Sequence, residues 1–476
     1  MSATQLYWIR NDLRVQDNHA LWHARDEGNV VAAYLLTPDT WLEHDEAPAK
    51  VDFWLRNLQA LKSRLEGLGI ALKVLHCRTF ADAPGALLDL ARKIDADGIF
   101  FNEEYGIHEQ RRDDNVAEAF TEASLGCRRY ADQVLFMPGS LRTQEGTMYK
   151  VFSQFRKLAY QKLHDHLPEC LAAPGKQSLA GVSSDTVPTE LDGFAKISRE
   201  QQDLWPAGEA AAHDRLQHFA EDIMGEYKEL RDQPARDGTS CLSAYLTSGV
   251  LSPRQCLHAA IAANRGEFDS GNTGAVTWIS ELLWREFYRH ILVCYPRVSR
   301  SQAFRPETEA VPWRKDSEGL AAWQEGRTGI PIVDAAMRQL LATGWMHNRL
   351  RMVSAMFLTK NLLIDWREGE RWFMQHLIDG DLASNNGGWQ WSASTGTDSV
   401  PYFRVFNPVT QSRRFDPDGE FIRTWIPELR HLDAKQIHEP PAADLFGATG
   451  YPQPIVDIGE TRKRAIATFK NLGEPS

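Results

Sequence analysis

Short apolar runs alternate with longer amphipathic stretches over residues 1–130. The runs LYWIR (6–10), VVAAYLLT (30–37), LKVLH (72–76) and GIFFN (98–102) are brief and rich in β-branched and aromatic residues, and they predict buried strands. Between them, VDFWLRNLQALKSRLEGLG (51–69) and APGALLDLARKIDADG (83–98) repeat apolar positions at helical spacing. Strand–helix alternation predicts a doubly wound parallel sheet covered on both faces, with any ligand at the carboxyl ends of the strands.

The pattern then changes. Residues 131–205 read as a connection, and PECLAAPGKQSLAGVSSDTVPTELDG is rich in Ser, Pro, Gly and Thr with little periodicity. From 206 to 476 the periodicity is helical, with helix-length segments at 208–230, 252–264, 273–294, 330–343, 345–363 and 368–378. This predicts an α/β domain, a long connecting loop and an all-α domain. No Gly-x-Gly-x-x-Gly follows a predicted strand; GLGIAL (67–72) lacks the third glycine and precedes a strand, so the usual dinucleotide fingerprint is missing.

Composition narrows the class. A chain of 476 residues implies two or three domains. No apolar run is long enough to span a membrane, and the first residues lack the pattern of a secretory leader. The six cysteines form no Cys-x-x-Cys pair, so neither a zinc ribbon nor a disulfide framework is expected, and the expected compartment is the cytoplasm. A net charge of −11 argues against non-specific nucleic-acid binding by the whole surface, but leaves room for a local basic face. The 15 tryptophans are in excess and raise the question of aromatic platforms or electron relays.

Several stretches carry candidate chemistry. DGDLASNNGGWQWSASTGTD (379–398) combines acids, amides, glycines and two tryptophans; Asn-Gly-Gly predicts a turn. As a calcium loop it fails, with no Gly at the sixth position and Gln at the twelfth. Asp379 and Asp381 are better suited to accept from ligand N–H or hydroxyl groups, or from arginines such as Arg351. In WISELLWREFYRH (278–290), Trp278, Glu281, Arg285 and Tyr288 fall near one helical face, flanked by Trp284. In GWMHNRLRM (344–352), Trp345, Asn348, Arg349 and Met352 share a predicted face, and His347 has no second histidine at metal-ligand spacing. Thr239, Ser240 and Ser243 precede a helical run, where hydroxyls either cap the helix or cradle a phosphate. Trp313, Trp366 and Trp389 are distant in sequence, and nothing in periodicity links them.

Together these motifs resemble the photolyase/cryptochrome family, most nearly its bacterial class I cyclobutane pyrimidine dimer DNA photolyases. The matching stretches are WIRNDLRVQDN, GTSCLS, ELLWREFYRH, WQEGRTGIPIVDAAMRQLLATGWMHNRLRM, IDWREGERWF and DGDLASNNGGWQWSASTGTDSVPYFRVFNP. The resemblance implies FAD, reduced when active, in the helical domain. Tyr227, Thr239, Ser240, Leu242, Ser243, Trp278 and Arg285 would face its phosphates; Trp345 and Arg351 join the flavin set. Asp379 and Asp381 would meet the ribityl and ring portions, and Asn385 the flavin N5 region. Cys241 stands where relatives often carry arginine.

The resemblance also implies a pocket for a flipped-out dimer formed by Glu281, Trp284, Asn348, Arg349, Met352 and Trp391, with Arg231, Arg349 and Arg404 on backbone phosphates. Glu281, Asn348 and Asn385 are the implied catalytic positions, and no metal is called for. Trp389, Trp366 and Trp313 match the family's electron relay. His44, Glu109 and Arg300 match the pocket of a methenyltetrahydrofolate antenna, with a deazaflavin as the alternative. Residue 108 is His where similar chains have Asn, and Ser299-Arg300 replaces a Cys-Lys pair. The expected partner is dimer-containing DNA, with no membrane and a monomeric protein. The competing expectations are a photosensory cryptochrome, a (6-4) photolyase and a flavin electron-transfer protein. Asn385, the pocket set, Asn348 and Met352 in place of a histidine pair, and a chain ending soon after the family region favour dimer repair.

Overall fold

Five parallel strands, β1 (Thr4–Ile9), β2 (Asn29–Leu36), β3 (Ala71–His76), β4 (Gly98–Asn102) and β5 (Gly126–Tyr130), form one sheet in the order β3-β2-β1-β4-β5. The computed structural model describes residues 3–178, 181–441 and 450–473. Alternate side chains of the inner strands, Leu6 and Trp8, Ala33 and Leu35, Ile99 and Phe101, join Leu87 and Leu90 of the helix Ala83–Lys93 and Val116 and Phe120 of the helix Ile107–Glu122 in one core. The inner strands are apolar throughout because both faces are covered. β5 has the sequence GCRRY and gives no such signal; it is an edge strand, where charged side chains are tolerated.

The chain crosses between two packing units at 225/226, 239/240, 296/297, 377/378 and 381/382. The first unit contains the sheet and the helix Thr273–Cys294. The stretch expected to be a plain connection contributes the helices Phe152–Asp165 and Arg199–Leu204. It also covers the open edge of β3, where Asp185 N donates to Leu72 O at 2.8 Å.

Within this unit a fully buried ionic cluster ties the α/β layer to the segment that begins at Ser240. Arg14 pairs with Asp132 at 2.5 Å, and Arg254 pairs with both Asp132 and Asp17 at 2.9 Å. Ser252 donates to Asp17 as well. Nearly every charge is matched and hydrogen-bonded, the condition under which buried ions are tolerated.

The second unit is helical. The helices Pro331–Thr343, Asn348–Met356, Trp366–His376 and Leu382–Ala393 surround a core containing Val333, Met337, Leu350, Val353, Trp366, Phe373 and Trp389. Two sequence expectations change here. The Asn385-Asn386-Gly387-Gly388 stretch is not a turn; the helix Leu382–Ala393 runs through it. Weak local propensity is overridden by side-chain bonds to neighbouring elements. The long helix expected over 345–363 instead begins at Asn348 and ends in a π-helical turn, Phe357–Leu362. In the first unit, the segment beginning at 208 likewise gives way to a π-helical turn, Phe219–Ile223.

Candidate functional site

In the first unit, the helix Thr273–Cys294 presents the residues of greatest interest. Asn272 caps it, its side chain accepting from Ala275 N at 3.0 Å. Trp278 is buried against Phe219, with ring centroids 5.1 Å apart. Glu281 and Trp284 are half-buried, and Trp284 stacks on Phe152 at 3.7 Å and 15°. A stacked, partly open indole is a ready apolar wall.

Arg285 lies on the same helix. Its Nη1 donates to Gln133 O at 2.6 Å and its Nη2 to Leu246 O at 3.4 Å, while the nearest carboxylate, Glu286, is 3.7 Å away. Burial and the adjacent Arg289 push its pKa down to about 10, so this cation is under-compensated. Arg289, one turn on, pairs with Asp381 at 2.8 Å and keeps its Nη1 without a hydrogen-bond partner among the described residues. An anionic phosphate group fits such a pair of guanidiniums. Leu246 belongs to the short helix Ser243–Thr247, which follows Ser240 and has Leu242, a residue with no side-chain acceptor, at its N-cap position. Cys241 there has φ 48°, in the left-handed region, so the loop is held in a specific shape. Asp379 is buried, its carbonyl accepting from the Thr247 hydroxyl at 3.4 Å.

In the second unit, Asn385, Trp389 and Trp391 lie on the helix Leu382–Ala393. Asn385 Nδ2 donates to the Glu370 carbonyl at 2.9 Å, which fixes the amide by its nitrogen. Behind it runs a chain of amides: Asn386 Nδ2 donates to Glu370 Oε1 at 2.8 Å, Gln390 Nε2 to Asn386 Oδ1 at 2.8 Å, and Phe304 N to Gln390 Oε1 at 2.7 Å. Burial raises the Glu370 carboxyl to about 7. Trp389 crosses the helix Trp366–His376 at Gly369, where any Cβ would overlap its indole. Its ring lies 4.9 Å from Phe373 and 5.9 Å from Trp323. Trp366 and Trp389 are inside the core, and Trp313 packs at its border, half-buried and in edge contact with Phe469 at 6.0 Å.

Asn348 is exposed at the start of its helix, where His347 Nδ1 accepts from Arg349 N at 3.2 Å. Burial pushes His347 down to about 4, so it serves as a neutral acceptor and not as a base near neutral pH. Trp345 precedes this helix, so only Asn348, Arg349 and Met352 share its turns. Arg349 is held by Asp232 through two bonds, at 3.2 and 2.7 Å, and lies 4.5 Å from the Phe415 ring. Arg351 Nε donates to Met346 O at 2.8 Å. The Arg231 guanidinium lies 5.2 Å from the ring of the buried Tyr227. Arg404 is exposed beside Phe403, itself 56% exposed, and Thr239 and Trp391 are half-buried.

The proposed antenna residues divide between the units. His44 Nδ1 lies 3.4 Å from Glu109 Oε1 in the first, and Arg300 is exposed in the second. Burial opposes ionisation of Glu109, but the hydrogen bond and charge of His44, with Arg112, hold it down to about 2. Burial also opposes the charge on His44, and Glu109 outweighs it, raising the imidazole. The nearby crevice at the sheet's switch point, between β1 and β4, is plugged. Arg10 pairs with Asp113 at 2.6 Å, and Arg112 with Glu104 at 2.7 Å and Asp113 at 2.8 Å. The guanidiniums of Arg10 and Arg112 lie over the Trp8 ring at 4.4 and 4.8 Å, and the remaining cavity is about 60 Å³. His44 and Glu109 line this same cavity.

Two family models cover most of the chain: "DNA photolyase" matches residues 5–173 and "FAD binding domain of DNA photolyase" matches 278–471. Over 472 residues, 98% of either chain, the sequence is 44% identical to the deoxyribodipyrimidine photo-lyase of Escherichia coli strain K12. The chain belongs to the DNA photolyase family. As a photolyase-family fold it superposes on a bacterial class III photolyase from Agrobacterium tumefaciens with a TM-score of 0.89 and 34% identity, covering 99% of this chain and 98% of that one. It also superposes on a Synechocystis cryptochrome with a TM-score of 0.86 and 28% identity, covering 98% and 99%. The α/β and helical halves expected from sequence are those of the family, and its FAD-binding model includes the helices Pro331–Thr343, Asn348–Met356, Trp366–His376 and Leu382–Ala393. Among the described residues no helix is long and apolar enough to cross a membrane, and no cluster of His, Cys, Asp or Glu could hold a metal.

Sequence reasoning did not single out Arg289, Asp232, Phe152 or Glu370. Arg289 had a signal, being four residues beyond Arg285 on one helix. The others touch their partners from remote segments and had none.

Proposed function

We propose that this protein is a light-driven carbon–carbon lyase that splits cyclobutane pyrimidine dimers in DNA. The observation that carries the proposal is identity of 44% along essentially the full length of a relative with that activity in its name. The chemistry supplied by bound reduced FAD is a photoexcited electron, lent to the dimer and returned after both cyclobutane bonds break, so the reaction has no net redox change.

The chain's own residues bind, orient and shield. Ser240, Leu242, Ser243 and Arg285, with Tyr227, Thr239 and Trp278, hold the cofactor phosphates; the under-compensated Arg285 supports this role. Arg289 joins them as the partner of Asp381. Asp379, Asp381, Trp345 and Arg351 hold the remainder of the flavin. Asn385, with its amide nitrogen anchored, offers its oxygen as an acceptor to the N–H of reduced flavin.

A dimer is out of reach inside a duplex and must be flipped out; the handling of photolyase substrates is itself a standard case of base flipping. Trp284 and Trp391 wall the fused bases, Glu281 and Asn348 bond their polar edges, and Met352 fills between. Arg231, Arg349 and Arg404 meet phosphates, giving affinity without sequence preference. Arg349 must then share its charge with Asp232. The fall from buried Trp389 and Trp366 to half-exposed Trp313 suits a relay from surface to flavin. The antenna in this reading is methenyltetrahydrofolate, with His44, Glu109 and Arg300 as its contacts and a deazaflavin as the alternative; the His44–Glu109 pair supports a polar contact there.

The test is to incubate reduced holoprotein with a dimer-containing oligonucleotide, in light and in darkness. Repair is expected only in light. Repair in the dark, or none in light from protein that carries reduced FAD, overturns the proposal; the second result is the one a signalling cryptochrome would give.

A further inference from the structure

We infer that Asp232 sets the specificity of DNA binding: by occupying the guanidinium fork of Arg349 it weakens binding to undamaged DNA and so widens the preference for dimer-containing DNA. This rests on the reading that Arg349 meets a DNA phosphate. Asp232 lies in the segment Glu226–Thr239, which packs with the second unit. Its carboxylate takes Arg349 side-on, Nε donating to Oδ1 at 3.2 Å and Nη2 to Oδ2 at 2.7 Å. A guanidinium uses the same two-bond geometry for a phosphate, so the carboxylate stands in for one.

The pairing is particular to these two residues. The same segment holds Glu226, Glu229 and Asp237, none of which forms an ion pair among the described residues. Stability is a poor reason for it, because the Arg349 and Asp232 side chains are 18% and 30% exposed and such a pair adds little to folding. The same exposure leaves Arg349 within reach of a ligand. Its Nη1 meets Met352 Sδ, a weak acceptor, at 3.9 Å, and its guanidinium lies 4.5 Å from the Phe415 ring. Donors therefore remain on a planar group already held by its edge and its face. The same ring carries Arg414 at 5.0 Å, exposed and with no ion pair among the described residues, so positive charge persists beside the pair.

Range separates the two kinds of DNA. Undamaged backbone is gathered by charge and counterion release, which need no particular pose. A carboxylate 2.7 Å from the guanidinium cancels most of that pull at a distance. A phosphate set in place by a flipped-out dimer acts at hydrogen-bond range, where the remaining N–H donors of a fixed guanidinium count. Asp232 thus subtracts more from lesion-independent affinity than from binding of the damaged site.

The experiment measures binding of full-length holoprotein, in darkness, to one duplex oligonucleotide with and without a single pyrimidine dimer, by fluorescence anisotropy over about 50 to 200 mM salt. Asp232→Asn should tighten binding to the undamaged duplex by about threefold or more at the low-salt end and steepen its salt dependence by about 0.9 in log–log slope, the worth of one phosphate contact. The ratio of damaged to undamaged affinity should narrow. The same substitution in an Arg349→Gln background should leave undamaged affinity unchanged. Unaltered flavin absorbance shows that each variant is folded. Undamaged affinity that stays the same or falls in Asp232→Asn, a ratio that does not narrow, or an equal gain in the absence of Arg349 overturns the assignment. Arg349→Gln that binds both duplexes as tightly as the unsubstituted protein overturns the underlying reading of Arg349, and the assignment with it.

Discussion

The switch-point end of the sheet and the helix Leu382–Ala393 handle buried polarity in opposite ways. At the sheet, Arg10, Arg112, Glu104 and Asp113 are ionised and interlocked, and the Arg14–Asp132–Arg254–Asp17 cluster repeats the device nearby. Around Asn385 the polar groups are neutral amides in series, with one carboxyl, Glu370, pushed to about 7. Ion pairs specify geometry strongly but place large fixed charges in a low dielectric. Oriented amide dipoles position a cofactor edge without doing so, which suits a place where charge moves during the reaction. The first arrangement suits architecture, and the second suits the flavin-facing role proposed for Asn385.

The largest expected effect lies in the second region. Trp313→Phe should lower photoreduction of oxidised FAD by roughly tenfold or more, because phenylalanine is much harder to oxidise, while repair by pre-reduced protein stays normal. Transient absorption after a flash reads the tryptophan radical; a normal yield removes Trp313 from the relay.

Next comes the first region. Arg254→Met strips two buried aspartates of a partner and should cost about 3–5 kcal/mol, measured from the urea midpoint of the holoprotein. A loss under about 1 kcal/mol would mean that the cluster is not architectural and that the contrast is misplaced.

Glu370 links the two behaviours. Its folded pKa is raised from the ordinary glutamate value to about 7, so the folded state holds the proton more tightly than the unfolded one. Its contribution is full below the unfolded pKa of about 4.5 and is lost as pH rises through about 7. Glu370→Gln keeps the acceptor for Asn386 and removes the titration. Its stability advantage should grow between pH 5 and pH 8, by at most about 3 kcal/mol. Thermal melts of both proteins across that range decide the matter; parallel curves would mean that Glu370 titrates normally.

The smallest effects concern the DNA pocket. Glu281→Ala and Asn348→Ala should each lower repair quantum yield several-fold while changing affinity for the dimer oligonucleotide by less than about twofold, since phosphate contacts carry most of the affinity. Wild-type yield in both variants would take these residues out of the site.

Much of the architecture was legible along the chain. Four of the five strands were visible because burial on both faces makes them apolar runs, and the helix Thr273–Cys294 because its periodicity is helical. β5 was hidden, since an edge strand reading GCRRY carries no apolar signature. Residues 152–165 form a helix inside a stretch that otherwise reads as loop.

What sequence alone determined is the set of chemical groups and their order: the strand–helix alternation, the tryptophans, the aspartates after residue 378, and the family motifs that contain them. What tertiary structure decided is where low local propensity was overruled and which remote groups meet. Asn-Asn-Gly-Gly is helical because Glu370, fifteen residues from Asn385, supplies both an amide acceptor and a carboxylate, and because Gly369 leaves room for the Trp389 ring. No window of sequence contains those partners; backbone preferences of under about 1 kcal/mol per residue yield to buried hydrogen bonds and packing of equal or greater strength.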